Sequence, residues 1–310
     1  MKGDPANEMA LPPELMARVR QIQIRVQRLV SGTLQGSYRS NFRGTGIEFE
    51  EVRPYQPGDE VRSIDWNVTA RTGAPHIKTY VEERQLILQL VCDTSLSLDF
   101  ASKAKTKREV AAEVAALFAL VAESQQDQVG LCLFSDRPGL YLPPKKESHH
   151  VQRVVREVMA TRSGGVGSSL GAVLEDQLKR LKRGSFVLVV SDFLGLDGDE
   201  WEDPMARLAR RHDVICVRVF DPFEEELPRA GILPFCDLES GEMVEIDTGS
   251  RRVRETWRRK AMERKDKLRD ALRRSRCDLI EIATDGDVAT PIIACFQRRS
   301  RGGAATAGRR

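Results

Sequence analysis

The sequence predicts a doubly wound α/β domain with a mostly parallel sheet. Five short runs rich in Val, Leu and Ile recur between residues 86 and 283, and helical patterns fill the intervals between them. A parallel sheet covered on both faces demands such continuous apolar strands, because neither face of a strand meets water. At 310 residues the chain can bury the large core this architecture needs, with length for an extension as well.

Residues 12–32 begin with a Pro-Pro pair and carry Leu15, Val19, Ile22, Ile24, Val26 and Val30 at mostly helical spacing, which predicts an amphipathic helix. Residues 33–85 are rich in Gly, Pro, Asp and Arg. Their short apolar pieces, "IEFEEVRPY" and "PHIKTYVEE", predict short strands, so residues 1–85 read as an irregular N-terminal extension. The sheet domain is expected over 86–298. Its strands are "LILQLVC" (86–92), "QVGLCLF" (128–134), "SFVLVVS" (185–191), "DVICVRVF" (213–220) and "DLIEIA" (278–283). Helices are expected near 104–124, 148–162, 169–183, 201–211 and 251–275. The insertion "GILPFCDLESGEMVEIDT" (231–248) alternates on both sides of a Glu-Ser-Gly-Glu turn and predicts a β-hairpin. The small, polar, basic residues 299–310 are expected to be disordered.

Six cysteines lie scattered, mostly inside apolar runs, with no C-x-x-C pair. That pattern points to reduced thiols and away from zinc or a disulfide framework. The N-terminal residues lack the apolar stretch of a signal peptide, and no apolar run reaches the length of a bilayer span, so a soluble cytoplasmic protein is expected. Charge is polarised. Residues 251–276 hold thirteen Lys or Arg against four Asp or Glu, a net of +9, which leaves the rest of the chain, +3 overall, at −6. The helix expected there places Val253, Trp257, Ala261, Leu268, Ala271 and Leu272 on one stripe, read as core, with its basic residues as surface.

In doubly wound folds ligands bind beyond the carboxyl ends of the strands. Three segments fall there. "CDTSLSLDF" (92–100) sets Asp93, Ser95 and Ser97 at alternate positions after the first strand. "GVGSSLGAVL" (165–174) offers Ser168 and Ser169 before a helix, and "SDFLG" (191–195) offers Asp192 after a strand. Carboxylates and hydroxyls together suit a hard cation such as Mg²⁺, which takes oxygen ligands and keeps several waters. Asp, Ser and Thr also serve ordinary strand-to-helix turns, so these residues alone leave a plain turn open.

The D-x-S-x-S sequence, the later hydroxyl loop and the Asp after a core strand resemble the metal-ion-dependent adhesion site of von Willebrand factor A domains. "GTGIEFEEVRPYQPGDEVRSIDWNVTAR" (44–71), "VEERQL" (81–86), "DPFEEELPRAG" and "DLESGEMVEIDT" resemble the signature of the bacterial domain of unknown function 58 family, over roughly residues 40–298. The resemblance implies Asp93, Ser95 and Ser97 as first-loop ligands of Mg²⁺ (or Mn²⁺ or Ca²⁺), with Asp192 holding a coordinated water. It implies Ser168 as the third-loop ligand, in the place of an expected Thr; the oxygen is kept but the methyl that helps fix the rotamer is lost, which lowers the expected affinity. It further implies a partner: such proteins are often encoded beside MoxR-type AAA+ ATPases and are thought to act with them on client proteins. This chain has no G-x-x-x-x-G-K-[ST] phosphate loop of its own.

Within the signature, Pro54, Pro57 and Gly58 favour a turn. Asp59 and Asp65 are placed to pair with Arg53, Arg62 or Arg71, and Tyr55 and Trp66 are expected as apolar anchors. Two other functions are weighed. A metal-dependent phosphohydrolase with Asp93 as nucleophile lacks the second Asp that such enzymes place two residues on, where Ser95 stands. Nucleic-acid or anionic-membrane binding through 251–276 lacks interleaved aromatics or a reader motif. The expected function is a non-enzymatic, Mg²⁺-dependent protein-interaction adaptor.

Overall fold

The computed structural model describes Tyr38 and residues 46–57, 59–83, 86–161, 169–196, 200–236 and 242–307, with the backbone alone for 46–51, 78–83 and 300–307. The expected helix at 12–32 lies outside the described residues. The chain divides into two compact units, Phe42–Leu86 and the remainder, Met1–Asn41 with Ile87–Arg310.

In the smaller unit, β1 (Gly46–Pro54) and β2 (His76–Glu83) pair antiparallel, Gly46 opposite Glu83 and Pro54 opposite His76, with one irregularity between Phe49 and Glu51. The turn after β1 is closed by Asp59. Its two oxygens accept from Arg53 at 2.8 and 2.7 Å, and one also accepts from the Gln56 N–H at 2.8 Å. These charge-assisted bonds, chiefly the one from Arg53, hold its carboxyl below the usual range. Asp65 caps helix α1 (Trp66–Thr72) by accepting from the Asn67 and Val68 N–H groups, and Gly73, at φ 74°, ends that helix in the left-handed region glycine favours. The cap makes Trp66 the first helical residue. Trp66 is 68% exposed rather than an anchor, and among the described side chains of this unit's sheet Ile77 is buried.

The larger unit is built on one six-stranded sheet. Its strands are β3 (Ile87–Asp93), β4 (Gln128–Phe134), β5 (Pro138–Lys145), β6 (Phe186–Ser191), β7 (Asp213–Phe220) and β10 (Asp278–Ala283), in spatial order β10-β7-β6-β3-β4-β5. All neighbours are parallel except β5, which returns antiparallel along β4. The runs predicted from sequence match these strands to within a residue at each end. Strand β5 has no counterpart among the expected strands: it carries three prolines, Pro138, Pro143 and Pro144, which suit an edge, and its pairing with β4 is irregular beside Pro143 and Pro144.

Helices α2 (Lys107–Ser124), α3 (Ser148–Ala160), α4 (Leu170–Arg180), α5 (Glu202–Ala209), α7 (Arg251–Arg274) and α8 (Ala289–Ala307) cover the sheet, and the short α6 (Pro222–Glu225) follows β7. Alternate side chains of each strand serve opposite faces. On one face Val187, Val189 and Cys216 pack with Leu170 and Val173 of α4, Met205 and Leu208 of α5, and Ala271 and Leu272 of α7. On the other, Phe186 meets Phe118 of α2 and Tyr38, and both of these meet Phe296 of α8, at ring separations of 5.8–6.5 Å. Each such fully buried large side chain contributes about 1.5–3 kcal/mol. Tyr38, expected to belong to the extension, is thus part of the sheet unit's core.

Strands β8 (Ile232–Cys236) and β9 (Met243–Asp247) form the expected hairpin, whose turn, residues 237–241, lies outside the described residues. Of the apolar stripe expected along α7, Ala261, Ala271 and Leu272 are buried, and Val253, Trp257 and Leu268 are half-buried. Helix α8 runs on to Ala307, into the segment expected to be disordered. Alanine is the strongest helix former, and "AATA" continues a helix already anchored by Ile292, Cys295 and Phe296. Among the described residues, no helix is long and apolar enough to cross a membrane.

Candidate functional site

The strand order reverses between β3 and β6. There α2 leaves toward one face and α5 toward the other, which opens a crevice beyond the carboxyl ends of the two strands. Asp93 ends β3 and Asp192 directly follows β6, so both carboxyls stand at the crevice, each 2–3% exposed.

Local hydrogen bonds fix them. The Ser95 N–H donates to Asp93 Oδ1 at 2.8 Å, and the Ser191 hydroxyl donates to Asp93 Oδ2 at 2.7 Å. Ser95 Oγ and Ser97 Oγ are 2.9 Å apart, and Ser97 bonds to Asp192. Asp192 Oδ1 accepts from the Leu194 N–H at 3.0 Å. The backbone bends sharply after it: Phe193 and Gly195 have φ values of 54° and 67°, a left-handed conformation unusual for a phenylalanine. Its ring, seated in the core cluster with Val189 and Trp201, and its N–H, which donates to Ser191 Oγ, hold that bend. Asp93, Ser95, Ser97 and Asp192 therefore form one connected group. Ser168 lies outside the described residues. The adjacent Ser169 donates its N–H to the Ser135 carbonyl just beyond β4, at 2.6 Å, and its buried hydroxyl oxygen has no hydrogen-bond partner among the described residues.

Two cations that the sequence reading passed over complete the site. Lys107, the first residue of α2, is fully buried; its ammonium donates to Asp192 Oδ2 at 2.7 Å and to Glu224 Oε1. Next to it, Arg108 donates to Asp99 at 2.7 Å, to the Thr161 carbonyl at 2.9 Å, and to the carbonyls of Thr94 and Ser95 at 3.3 and 3.1 Å. Arg108 thereby clamps the loop that carries Ser95 and Ser97. The signal was present in the sequence: two adjacent cations in the first turn of a largely apolar helix oppose the helix dipole, and their burial calls for carboxylates nearby.

The acidic motif after β7 is likewise used residue by residue. Asp221 accepts from the Ser102 N–H at 2.8 Å, the Thr284 hydroxyl at 2.9 Å and the Phe223 N–H at 2.9 Å. Glu224 takes Lys107, and Glu225 takes Arg218 and Lys265.

Electrostatics divide the two aspartates. Burial pushes Asp93 up, and the charge of Asp192 adds to that, so that even against its serine hydrogen bonds it reaches about 6. Burial also opposes ionisation of Asp192, but Lys107's charge and hydrogen bond outweigh it and hold that carboxyl below the usual range. Glu224 is raised by burial and by Asp192 against the pull of Lys107. One ammonium thus serves two carboxylates, Asp192 and Glu224, while a third carboxyl, Asp93, feels the charge of Asp192. A divalent cation fits this donor set, because Asp93, Ser95, Ser97 and Asp192 offer only oxygen and the group is short of positive charge. Lys107 already holds one oxygen of Asp192.

The sequence profile of a family described as "protein of unknown function DUF58" matches residues 51–267. An uncharacterized protein of Mycobacterium tuberculosis is 30% identical over 292 residues, covering 94% of this chain and 91% of that protein. One from Mycobacterium avium is 27% identical over 170 residues, covering 54% of this chain and 98% of that protein. Among solved structures, the conserved hypothetical protein BatB from Bacteroides thetaiotaomicron is 12% identical, with 70% of this chain and 99% of that chain covered and a TM-score of 0.46. A von Willebrand factor type A structure from Catenulispora acidiphila is 11% identical, with 84% and 47% covered and a TM-score of 0.38. With the family profile matching well over half its length and relatives aligned along nearly all of it, this chain belongs to the DUF58 family.

Proposed function

We propose that the protein is a non-catalytic adaptor that docks on other proteins through the carboxyl edge of its sheet, with a divalent cation held by Asp93, Ser95, Ser97, Ser168 and Asp192. The observation that carries the reading is the convergence of four of these residues, drawn from two strand ends, into one hydrogen-bonded group at the point where the strand order reverses. When bound, Mg²⁺ would supply positive charge between the two aspartates and a coordination position open to an acidic group of a partner. The chain's own residues prepare that edge. Arg108 fixes the serine loop, Ser191 orients Asp93, and Lys107 orients Asp192 while supplying part of the compensating charge.

The environment of Asp93 argues against nucleophilic catalysis. Both of its oxygens accept hydrogen bonds, from Ser95 and Ser191, and burial with Asp192 at its side raises it toward the neutral, less nucleophilic form.

The partner that the family resemblance implies is a MoxR-type AAA+ ATPase acting on client proteins. The test is co-purification with the cognate ATPase and measurement of its ATP hydrolysis rate, using wild type and Asp93→Ala at the same Mg²⁺ concentration. The reading expects wild type to bind the ATPase or change its rate, and Asp93→Ala to do neither while remaining folded. Equal behaviour of the two proteins would overturn the role of this edge.

A further inference from the structure

Beside the aspartates lies a cavity of about 330 Å³ that the docking reading does not use. It is lined by Ser97, Phe100 and Lys107, by Leu194 and Gly195 after β6, and by Phe223 and Glu224 of α6. The hairpin insertion contributes Phe235 and Cys236, and α7 contributes Trp257 and Arg264. The aromatic side is rigidly built. Trp257 donates its indole N–H to the carbonyls of Phe223 and Glu224, at 3.0 and 3.1 Å, and its ring stands 5.8 Å from that of Phe235. Seven residues further along the same helix face, Arg264 lines the cavity with an exposed guanidinium that no carboxylate pairs among the described residues. Apolar walls with a few placed charges are what a binding cavity requires, and 330 Å³ lies at the small end of that range.

We propose that this cavity is a specificity pocket for an acidic protein segment: it takes one large apolar side chain of the partner between Phe100, Phe223, Phe235 and Trp257, while Arg264 pairs with a carboxylate beside that side chain. The inference rests on the docking reading and assigns its selectivity. Two observations favour a protein segment over a free metabolite. The helix that supplies Arg264 and Trp257 belongs to the +9 stretch, which attracts an acidic partner. The hairpin and helix that wall the cavity also carry Ile232, Met243, Val244 and Met262, all more than half exposed, as expected of a surface that a macromolecule covers. Ser97 belongs to both the cavity and the aspartate group, so a segment seated here lies directly against the proposed ion edge.

The test is fluorescence anisotropy on the full chain with labelled Gly-Ser-Asp-Phe-Ser-Gly, and with the same peptide carrying Asn or Lys for Asp, or Ala for Phe, in Mg²⁺ and in chelator. The proposal expects the Asp-Phe peptide to bind best. Phe235→Ala is expected to weaken it at least about tenfold, as loss of an aromatic anchor does, with the protein's own response to Mg²⁺ unchanged. Arg264→Glu, an exposed change that leaves packing intact, is expected to remove the preference for Asp over Asn and to favour the Lys peptide. Equal binding of the Phe and Ala peptides, or no effect of either substitution, would overturn the pocket. Tight binding of phenylacetate with no peptide bound would overturn the protein-segment assignment. Peptide binding that depends on Phe235 yet ignores chelator would keep the pocket and remove the ion from the docking reading.

Discussion

Lys107 and Arg108 open helix α2 from inside the protein, 0% and 3% exposed, whereas most of the basic side chains of α7 stand in solvent. The first pair reaches Asp192, Glu224, Asp99 and the carbonyls of Thr94 and Ser95. On α7, Arg251 and Arg259 pair with Glu255 and Glu263 of their own helix, and Lys265, Arg269 and Arg274 reach Glu225, Glu281 and Glu202 in partly exposed pairs. Thirteen cations dominate the charge map of the sequence, yet two hold the site together. The difference is solvation: a buried charge left without its partner retains its full desolvation penalty, while an exposed one recovers its water.

Breaking the buried side should cost most. Lys107→Met leaves Asp192 and Glu224 without their ammonium and is expected to destabilise the sheet unit by about 3–5 kcal/mol in a urea titration. The same variant sharpens the account of the ion, because removing a competitor for Asp192 should make Mg²⁺ raise its melting temperature more than that of wild type. Arg108→Ala removes the clamp on the serine loop and is expected to cost about 1–3 kcal/mol, with Mg²⁺ binding weakened as well.

A third, smaller effect is a pH dependence at the start of β7. His212 is buried with no hydrogen-bond partner for either ring nitrogen among the described residues, and burial, then the charges of Arg211 and Arg183, push it down to about 4. A histidine depressed in the folded state contributes stability above its unfolded value of about 6.5 and loses it as pH falls toward 4. Thermal melts of wild type should therefore fall between these values, and those of His212→Gln should fall less. The smallest effect belongs to the exposed side: Glu263→Ala should leave the melting midpoint within replicate scatter, since its i,i+4 pair with Arg259 is largely in water.

Much of the sheet was legible because its strands are buried on both faces and so read as unbroken apolar runs; β4, β7 and β10 match the predicted limits residue for residue. The antiparallel β5 was not, since Pro143 and Pro144 argue against any strand except an edge, and an edge is defined only by its neighbours. Trp66 looked like an anchor on size alone, but the cap by Asp65 decides where the helix starts and leaves the ring exposed. At the site, Asp93, Ser95, Ser97 and Asp192 could be named from strand ends. Lys107 and Glu224 are 117 residues apart in sequence, and only the fold brings them together. The aromatic pocket was hidden for the same reason, with Phe100, Leu194, Phe235 and Trp257 contributed by four separate segments.

Titration calorimetry with Mg²⁺ on wild type and Asp93→Ala tests the central claim most directly. A saturable heat in wild type that disappears in a folded Asp93→Ala is the predicted result, accompanied by a melting temperature that rises with ion concentration in wild type alone. No heat in wild type, or the same heat in both proteins, would contradict the ion-binding edge and leave Asp93, Ser95 and Ser97 as a structural turn.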